Sequence, residues 1–404
     1  MYESLAIFAI FLFCYSVVAG RVEKTMISGP MIFVFAGFVM GSSGLGWLGG
    51  DVTRDQMRVL ADLTLALVLF IDAANADLGV LRKQFKIPSR MLLIGLPGVI
   101  LLGFGFAVLL FDELSLFEAA ILATMLAATD AALGKAVIVN KIVPTRVREA
   151  LNVESGLNDG LCVPILLFFI ALASVSVTGH ENTTSAIFLI AQELGIGAAV
   201  GLGFAAVGAT VIRWCFKQGW LTKIWIQMAV IALALASFAV AQELHGSGYI
   251  AAFVGGMLFG SMAKEATHDL VMAAEGTAES LAMITWLLFG AVVVGQNMNL
   301  MTWELVIYAL LSLTVIRVLP IFLSLTGIGV SVSSRLFLAW FGPRGLASIV
   351  FAIIVMEAEL PGSRFLALVV VVTVFASLVA HGVTANPLAA WLGRKEGSEE
   401  PVHD

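Results

Sequence analysis

The sequence predicts an all-α polytopic membrane protein. About thirteen transmembrane helices are arranged as two inverted six-helix repeats, with a broken, crossing helix in each half. Three observations carry this reading. First, 60% of the 404 residues are hydrophobic, only 12% are charged, and the mean hydropathy is +1.01, which no soluble core requires. Second, apolar stretches of spanning length recur along the whole chain. Third, Lys and Arg alternate between successive loops, and short loops rich in them stay cytoplasmic. The net charge of −6 is small and dispersed, so it gives no reason to expect nucleic acid.

In order, the spans fall near residues 3–20, 27–46, 56–78, 88–111, 116–139, 147–177, 184–215, 223–243, 248–262, 266–296, 302–326, 332–358 and 362–392. The first lacks a basic start and a small-residue cleavage site, so it reads as a retained span and not a signal peptide. Of the 22 Lys and Arg residues, sixteen fall on one side, in the groups Arg21/Lys24, Arg82/Lys83/Lys86/Arg90, Lys141/Arg146/Arg148, Arg213/Lys217/Lys223, Lys264, Arg335 and Arg394/Lys395. Arg54, Arg58 and Arg364 fall opposite, and Lys135, Arg317 and Arg344 lie inside spans. The N-terminus is therefore expected outside and the C-terminus in the cytoplasm, in a prokaryotic inner (cell) membrane. Cys14, Cys162 and Cys215 lack the spacing of a disulfide framework or zinc site and read as packing residues.

An odd span count gives the two halves opposite orientation. The first repeat covers residues 1–183, a linking helix 184–222, the inverted second repeat 223–393, and a short cytoplasmic tail 394–404, too short for elaborate regulation. Such a plan suits a transporter with a midplane site between its halves. The fifth span of each half is interrupted, near 127–132 at Ala128-Thr129-Asp130 and near 341–345 at Phe341-Gly342-Pro343-Arg344-Gly345, where Pro and Gly weaken a helix. Irregular backbone at membrane depth must line a cavity or be satisfied by protein.

The charged residues inside the spans carry the chemistry. Unpaired, Asp72, Asp130, Lys135, Glu154, Asp159, Arg317 and Arg344 would together cost on the order of 17 kcal/mol, so they pair, neutralise or meet water. Helical spacing puts Glu154 and Asn158 on one stripe and Ser155 and Asp159 on another, about 100° away. A hard monovalent cation prefers several oxygen donors to sulfur or imidazole. Asp159 and Ser155, with backbone oxygen freed at Thr129, supply them, and Asp72 adds a second carboxylate unless it is a buried acid held for packing. Asp130 reads as a compensator of half-helix N-termini, with direct coordination as the alternative. Glu154 needs a cation, from Arg317 or Arg344; the sequence leaves both open.

These residues resemble the NhaP-type and eukaryotic sodium/proton exchangers among the monovalent cation/proton antiporters. That family has Ala-Thr-Asp-Pro at the first break, Glu-Ser-Leu-Leu-Asn-Asp-Gly in the next helix and Gly-Leu-Arg-Gly near the second break. Here they stand as Ala128-Thr129-Asp130-Ala131, Glu154-Ser155-Gly156-Leu157-Asn158-Asp159-Gly160 and Gly342-Pro343-Arg344-Gly345. Asp72 falls where the family's third-span acid lies, and Arg317 resembles its arginine in the eleventh span. The resemblance implies a homodimer whose ion-carrying core moves against a dimerisation domain, without resident cofactor. It implies exchange of Na+ for H+, with Li+ or K+ as alternatives. The Asn158-Asp159 pair implies electroneutral exchange. Two departures stand out: Ala131 replaces the usual proline, and Lys135, which can snorkel to the inner surface, adds a cation.

Competition at one carboxylate gives a mechanism: Asp159 binds a proton or the cation, never both, and access alternates between the two faces. Other classes fit less well. Gly156-Leu157-Asn158-Asp159 is superficially similar to the Gly-x-Gly-Asp of presenilin-like intramembrane aspartyl proteases, but Asn158 replaces a glycine, no Pro-Ala-Leu follows and the spans are too many. A cation channel would also place polar residues in the membrane, yet no filter-like repeat is present. His180, His245, His268 and His403 map to loops and tail, and His381 sits late in the last span; each reads as packed or solvated rather than as a sensor.

Overall fold

The computed structural model describes residues 2–22, 25, 28–42, 44–48, 54–75, 86–138, 140–178, 183–263, 267–294 and 302–397. Lys24, Arg82, Lys83, Lys264, His180 and His403 lie outside the described residues, as do the side chains of Arg54, Lys135, Lys223 and His268. Every regular element among the described residues is a helix. In chain order these are α1 (Tyr2–Val22), α2 (Gly29–Met40), α3 (Arg54–Asn75), α4 (Lys86–Leu110), α5 (Leu116–Met125), α6 (Ala131–Ile138), α7 (Thr145–Thr178), α8 (Thr183–Lys217), α9 (Lys223–Glu243), α10 (Gly248–Ala263), α11 (Thr267–Leu288), α12 (Trp303–Ser324), α13 (Val332–Trp340), α14 (Leu346–Glu357) and α15 (Ser363–Gly397).

Six of these stretches are long and apolar enough to cross a membrane, and five shorter apolar helices accompany them. Several are not straight. Residues Met91–Gly95 form a π-turn within α4, a π segment, Phe289–Val294, follows α11, and α12 is interrupted at Thr314 and carries Pro320. Pro164 inside α7 has no N–H to give the carbonyl of Gly160, which loosens the helix one turn beyond Asp159.

The helices pack densely within two groups and more thinly between them. One group is α2, α3 and α8 to α11, with α1 laid on α2 through Phe11 and Tyr15 against Phe33. The other is α4 to α7 with α12 to α15. Each group is built from two separate stretches of the chain, residues 2–75 with 183–288 in the first and 86–178 with 303–397 in the second. Glycine allows the closest crossings: a Cβ on Gly256 or Gly260 of α10 would stand 2.2 or 2.1 Å from the carbonyl oxygens of Phe70 or Ala74 of α3. Those residues flank Asp72, so this crossing fixes the height of that carboxylate. Between the groups α7 meets α3 at Gly156, where a Cβ would lie 3.3 Å from Asp72 Cβ.

A crossing of two broken helices beside a carboxylate-lined cavity

Two helices stop in mid-span. The chain leaves α5 after Met125 and re-enters helix at Ala131; it leaves α13 after Trp340 and re-enters at Leu346. Four half-helix ends then lie inside the protein, each with unsatisfied backbone groups and a partial charge.

One carboxylate serves both N-terminal poles. Asp130 Oδ1 accepts from the Leu133 N–H of α6 at 3.1 Å, and Oδ2 accepts from the Leu346 N–H of α14 at 2.7 Å. Its own N–H donates to the Pro343 carbonyl at 2.8 Å. The C-terminal poles are served by donors. Arg344 Nη1 donates to the Ala128 carbonyl at 3.0 Å, Ser348 Oγ to Met125 at 2.8 Å and Asn158 Nδ2 to Ala127 at 3.1 Å. At the end of α13, His381 Nε2 lies 3.0 Å from the Trp340 carbonyl. The two glycines of the second break are steric requirements. A Cβ on Gly345 would stand 1.9 Å from Asp130 Oδ2, and one on Gly342 would stand 2.4 Å from Arg317 Nε.

Beside this crossing runs α7. Glu154 Oε1 accepts from Arg317 Nη1 at 2.8 Å, with both side chains 1% exposed. Of the two candidate partners for Glu154, Arg317 therefore takes the ion pair and Arg344 the α5 terminus. Asn158 Nδ2 also lies 3.0 Å from Thr129 Oγ1 and 3.3 Å from Glu154 Oε1, while Cys162 Sγ donates to Asn158 Oδ1 at 3.3 Å. Asn158 thus holds the first break to α7.

Asp159 Oδ1 accepts from the Thr129 N–H at 3.1 Å. The Thr129 atom that reaches Asp159 is thus a donor, where the sequence suggested a freed backbone oxygen. No ion pair among the described residues involves Asp159. Asp159 and Ser155 are buried, at 5% and 4% exposure. A cavity of about 560 Å³ lies between the two helix groups, and Asp72, Asp130, Asp159 and Glu275 line it together with the first residues of α14, Leu346 and Ala347. Asn75 Nδ2 donates to Glu275 Oε1 at 2.6 Å. The cavity brings Asp72 and Asp159 onto one wall system; Glu154, Arg317 and Arg344 stand behind it.

Several residues at the site carry no legible signal in the sequence. Ser348, Ser377, Asn75 and Glu275 act through contacts between distant segments, and Cys162 acts through a contact to Asn158 one turn away on α7. Pro164, a proline inside an apolar span five residues after Asp159, is a signal that the sequence does carry. Among the described residues no group of three or more His, Cys, Asp or Glu has the arrangement of a metal-holding cluster.

Comparison with known proteins gives a consistent picture. Residues 8–391 match the sodium/hydrogen exchanger transmembrane family. The K(+)/H(+) antiporter NhaP of Alkalimonas amylolytica is 26% identical over 390 residues, which cover 94% of this chain and 65% of that protein. The Na(+)/H(+) antiporter of Schizosaccharomyces pombe is 22% identical, with 94% and 88% covered. The chain thus spans about two thirds of the length of several bacterial relatives it matches. Among solved structures, the sodium proton antiporter MjNhaP1 from Methanocaldococcus jannaschii at pH 8 superposes with a TM-score of 0.75 at 18% identity, covering 98% of both chains. A second structure of that protein gives 0.78 at 20% identity. At that identity the likeness establishes the fold.

Proposed function

The chain belongs to the sodium/hydrogen exchanger family, and from that premise we propose that it is a secondary active antiporter exchanging Na+ for H+ by competition at Asp159. The observation that carries the reading is the different fate of two acids five residues apart on α7. The charge of Glu154 is taken by Arg317, whereas Asp159 faces a cavity and, among the described residues, has only the Thr129 amide N–H on one oxygen. A paired carboxylate is structural; an unpaired one can exchange ligands.

In this mechanism ionised Asp159 receives the cation from the cavity, with the Ser155 hydroxyl and the Asp72 carboxylate as further oxygen ligands and Thr129 keeping the carboxylate oriented. Movement of the α4 to α7 and α12 to α15 group against the other carries the loaded site to the opposite face. There a proton displaces the cation, and the protonated site returns. Glu154, Arg317, Arg344, Asn158 and Asp130 hold the crossing rigid while this happens. One cation for one proton leaves no net charge moved. The protein works as a homodimer in a prokaryotic inner membrane, N-terminus outside and C-terminus in the cytoplasm, and its two repeats, 1–183 and 223–393, are inverted about the 184–222 helix.

K+ is the second candidate cation, because several relatives are named K(+)/H(+) antiporters. Initial rates in proteoliposomes with Na+, K+ or Li+ at several pH values test both points. Competition predicts that the apparent KM for the transported cation rises as the medium is acidified; a KM independent of pH refutes it.

A further inference from the structure

His381 of α15 is 3% exposed and packs against Trp340 and Phe341, with ring centroids 5.2 and 6.2 Å away. Its two nitrogens have different partners. Nε2 lies 3.0 Å from the Trp340 carbonyl, which can only accept, so Nε2 carries a proton. Nδ1 lies 3.1 Å from Ser377 Oγ and 3.0 Å from the Ser377 carbonyl. Ser377 Oγ in turn accepts from the Arg344 N–H at 2.7 Å, which leaves its own proton to donate to Nδ1. One direction gives the hydroxyl, both ring nitrogens and the Trp340 carbonyl a partner: Arg344 N–H to Ser377 Oγ, Ser377 O–H to His381 Nδ1, His381 Nε2–H to Trp340, while the Ser377 carbonyl, one turn before His381 in α15, is left to the backbone N–H of the helix. An imidazolium would leave the Ser377 hydroxyl without this acceptor and set a third cation near Arg344 and Arg317.

Both ends of this chain sit on the second break: Trp340 closes α13, and Arg344 lies two residues before α14. The Arg344 side chain then reaches the Ala128 carbonyl at 3.0 Å, and the next residue, Thr129, holds Asp159. We propose that His381, as a neutral imidazole protonated on Nε2, is a positioning residue for cation exchange. It sets the 341–345 crossing and, through Arg344, the turn that orients Asp159. This rests on the antiporter reading for its functional consequence and on hydrogen-bond geometry alone for its tautomer.

The experiment has two arms. In protein labelled with 15N-histidine and reconstituted in liposomes, the His381 signals are assigned by their loss in His381→Gln. The expected spectrum has a protonated Nε2 and a bare Nδ1 throughout the pH range in which exchange titrates. An imidazolium or an Nδ1–H tautomer there overturns the proposal. In the transport arm, His381→Gln and Ser377→Ala each raise the apparent cation KM about two- to twelvefold, the loss of one neutral hydrogen bond, with Vmax changed less. The double variant is no worse than the more impaired single one. A Vmax loss at unchanged KM, or additive losses, overturns the proposal. If the wild type moves no protons with any cation, the antiporter reading fails, while the nitrogen spectra still decide the tautomer.

Discussion

Asp130→Asn is the substitution whose cost can be worked from the geometry. Each carboxylate oxygen of Asp130 serves a different half-helix, Leu133 N–H at 3.1 Å and Leu346 N–H at 2.7 Å. An amide keeps only one acceptor, so in either orientation one buried N–H faces an NH₂ group. The loss of one charge-assisted hydrogen bond costs about 1.5–3 kcal/mol. Removing the negative charge between two helix N-termini costs about 0.3–1 kcal/mol for each. Together the variant should lose about 2–5 kcal/mol of stability. Asp130→Ala should lose more, since it removes both acceptors. Asp130→Glu offers no rescue, because Gly345 already has no room for a Cβ beside Oδ2. Unfolding of the purified protein in mixed detergent, followed by helical circular dichroism, measures this directly. An Asp130→Asn protein within about 0.5 kcal/mol of wild type, the scale of an inconsequential surface change, would refute the two-pole role.

Three further outcomes follow from the same geometry. Breaking the Glu154–Arg317 pair with Glu154→Gln or Arg317→Met alone should cost about 3–5 kcal/mol, and the double variant should recover much of it; additive costs in an unfolding cycle would contradict a direct pair. Gly256→Ala drives a Cβ into the Phe70 carbonyl and should destabilise by about 1–3 kcal/mol, whereas Gly105→Ala, with nothing within 4 Å, should be neutral or stabilise by about 0.4–1 kcal/mol; equal thermal shifts in the two would argue against the α3–α10 crossing. Ser155→Ala removes the hydroxyl one turn before Asp159 on α7 and, if it is a cation ligand as proposed, should weaken apparent cation affinity while leaving stability nearly unchanged, as read from transport KM and melting together.

The helical membrane class and the family are both readable from residues alone, because hydropathy and loop charge are local properties and the Glu154 to Asp159 run is contiguous. The partner of Glu154 is not. Arg317 and Arg344 both sit in apolar spans, and only the way Gly342 lets the Arg317 guanidinium lie beneath the crossing decides between them. Asp130 was readable as a compensator of helix poles, but that its two oxygens divide between α6 and α14 depends on the two breaks touching. Thr129 shows the limit most clearly. Sequence locates the broken backbone but not whether its N–H or its carbonyl turns toward Asp159. His381 looked like a packed histidine in the last span, and its role emerges only when Trp340 and Ser377 are seen on opposite sides of its ring.

The central claim is that Asp159 exchanges a cation for a proton, and proteoliposomes with an imposed pH gradient test it most directly. Sodium, lithium or potassium is added to wild type and to Asp159→Asn, with and without a clamped membrane potential. The account predicts that wild type alone dissipates the gradient and that the potential has no effect, because net movement of one charge would respond by about 2.3 kcal/mol per 100 mV. Proton movement by the variant equal to wild type, or none by wild type with any of the three cations, would contradict it.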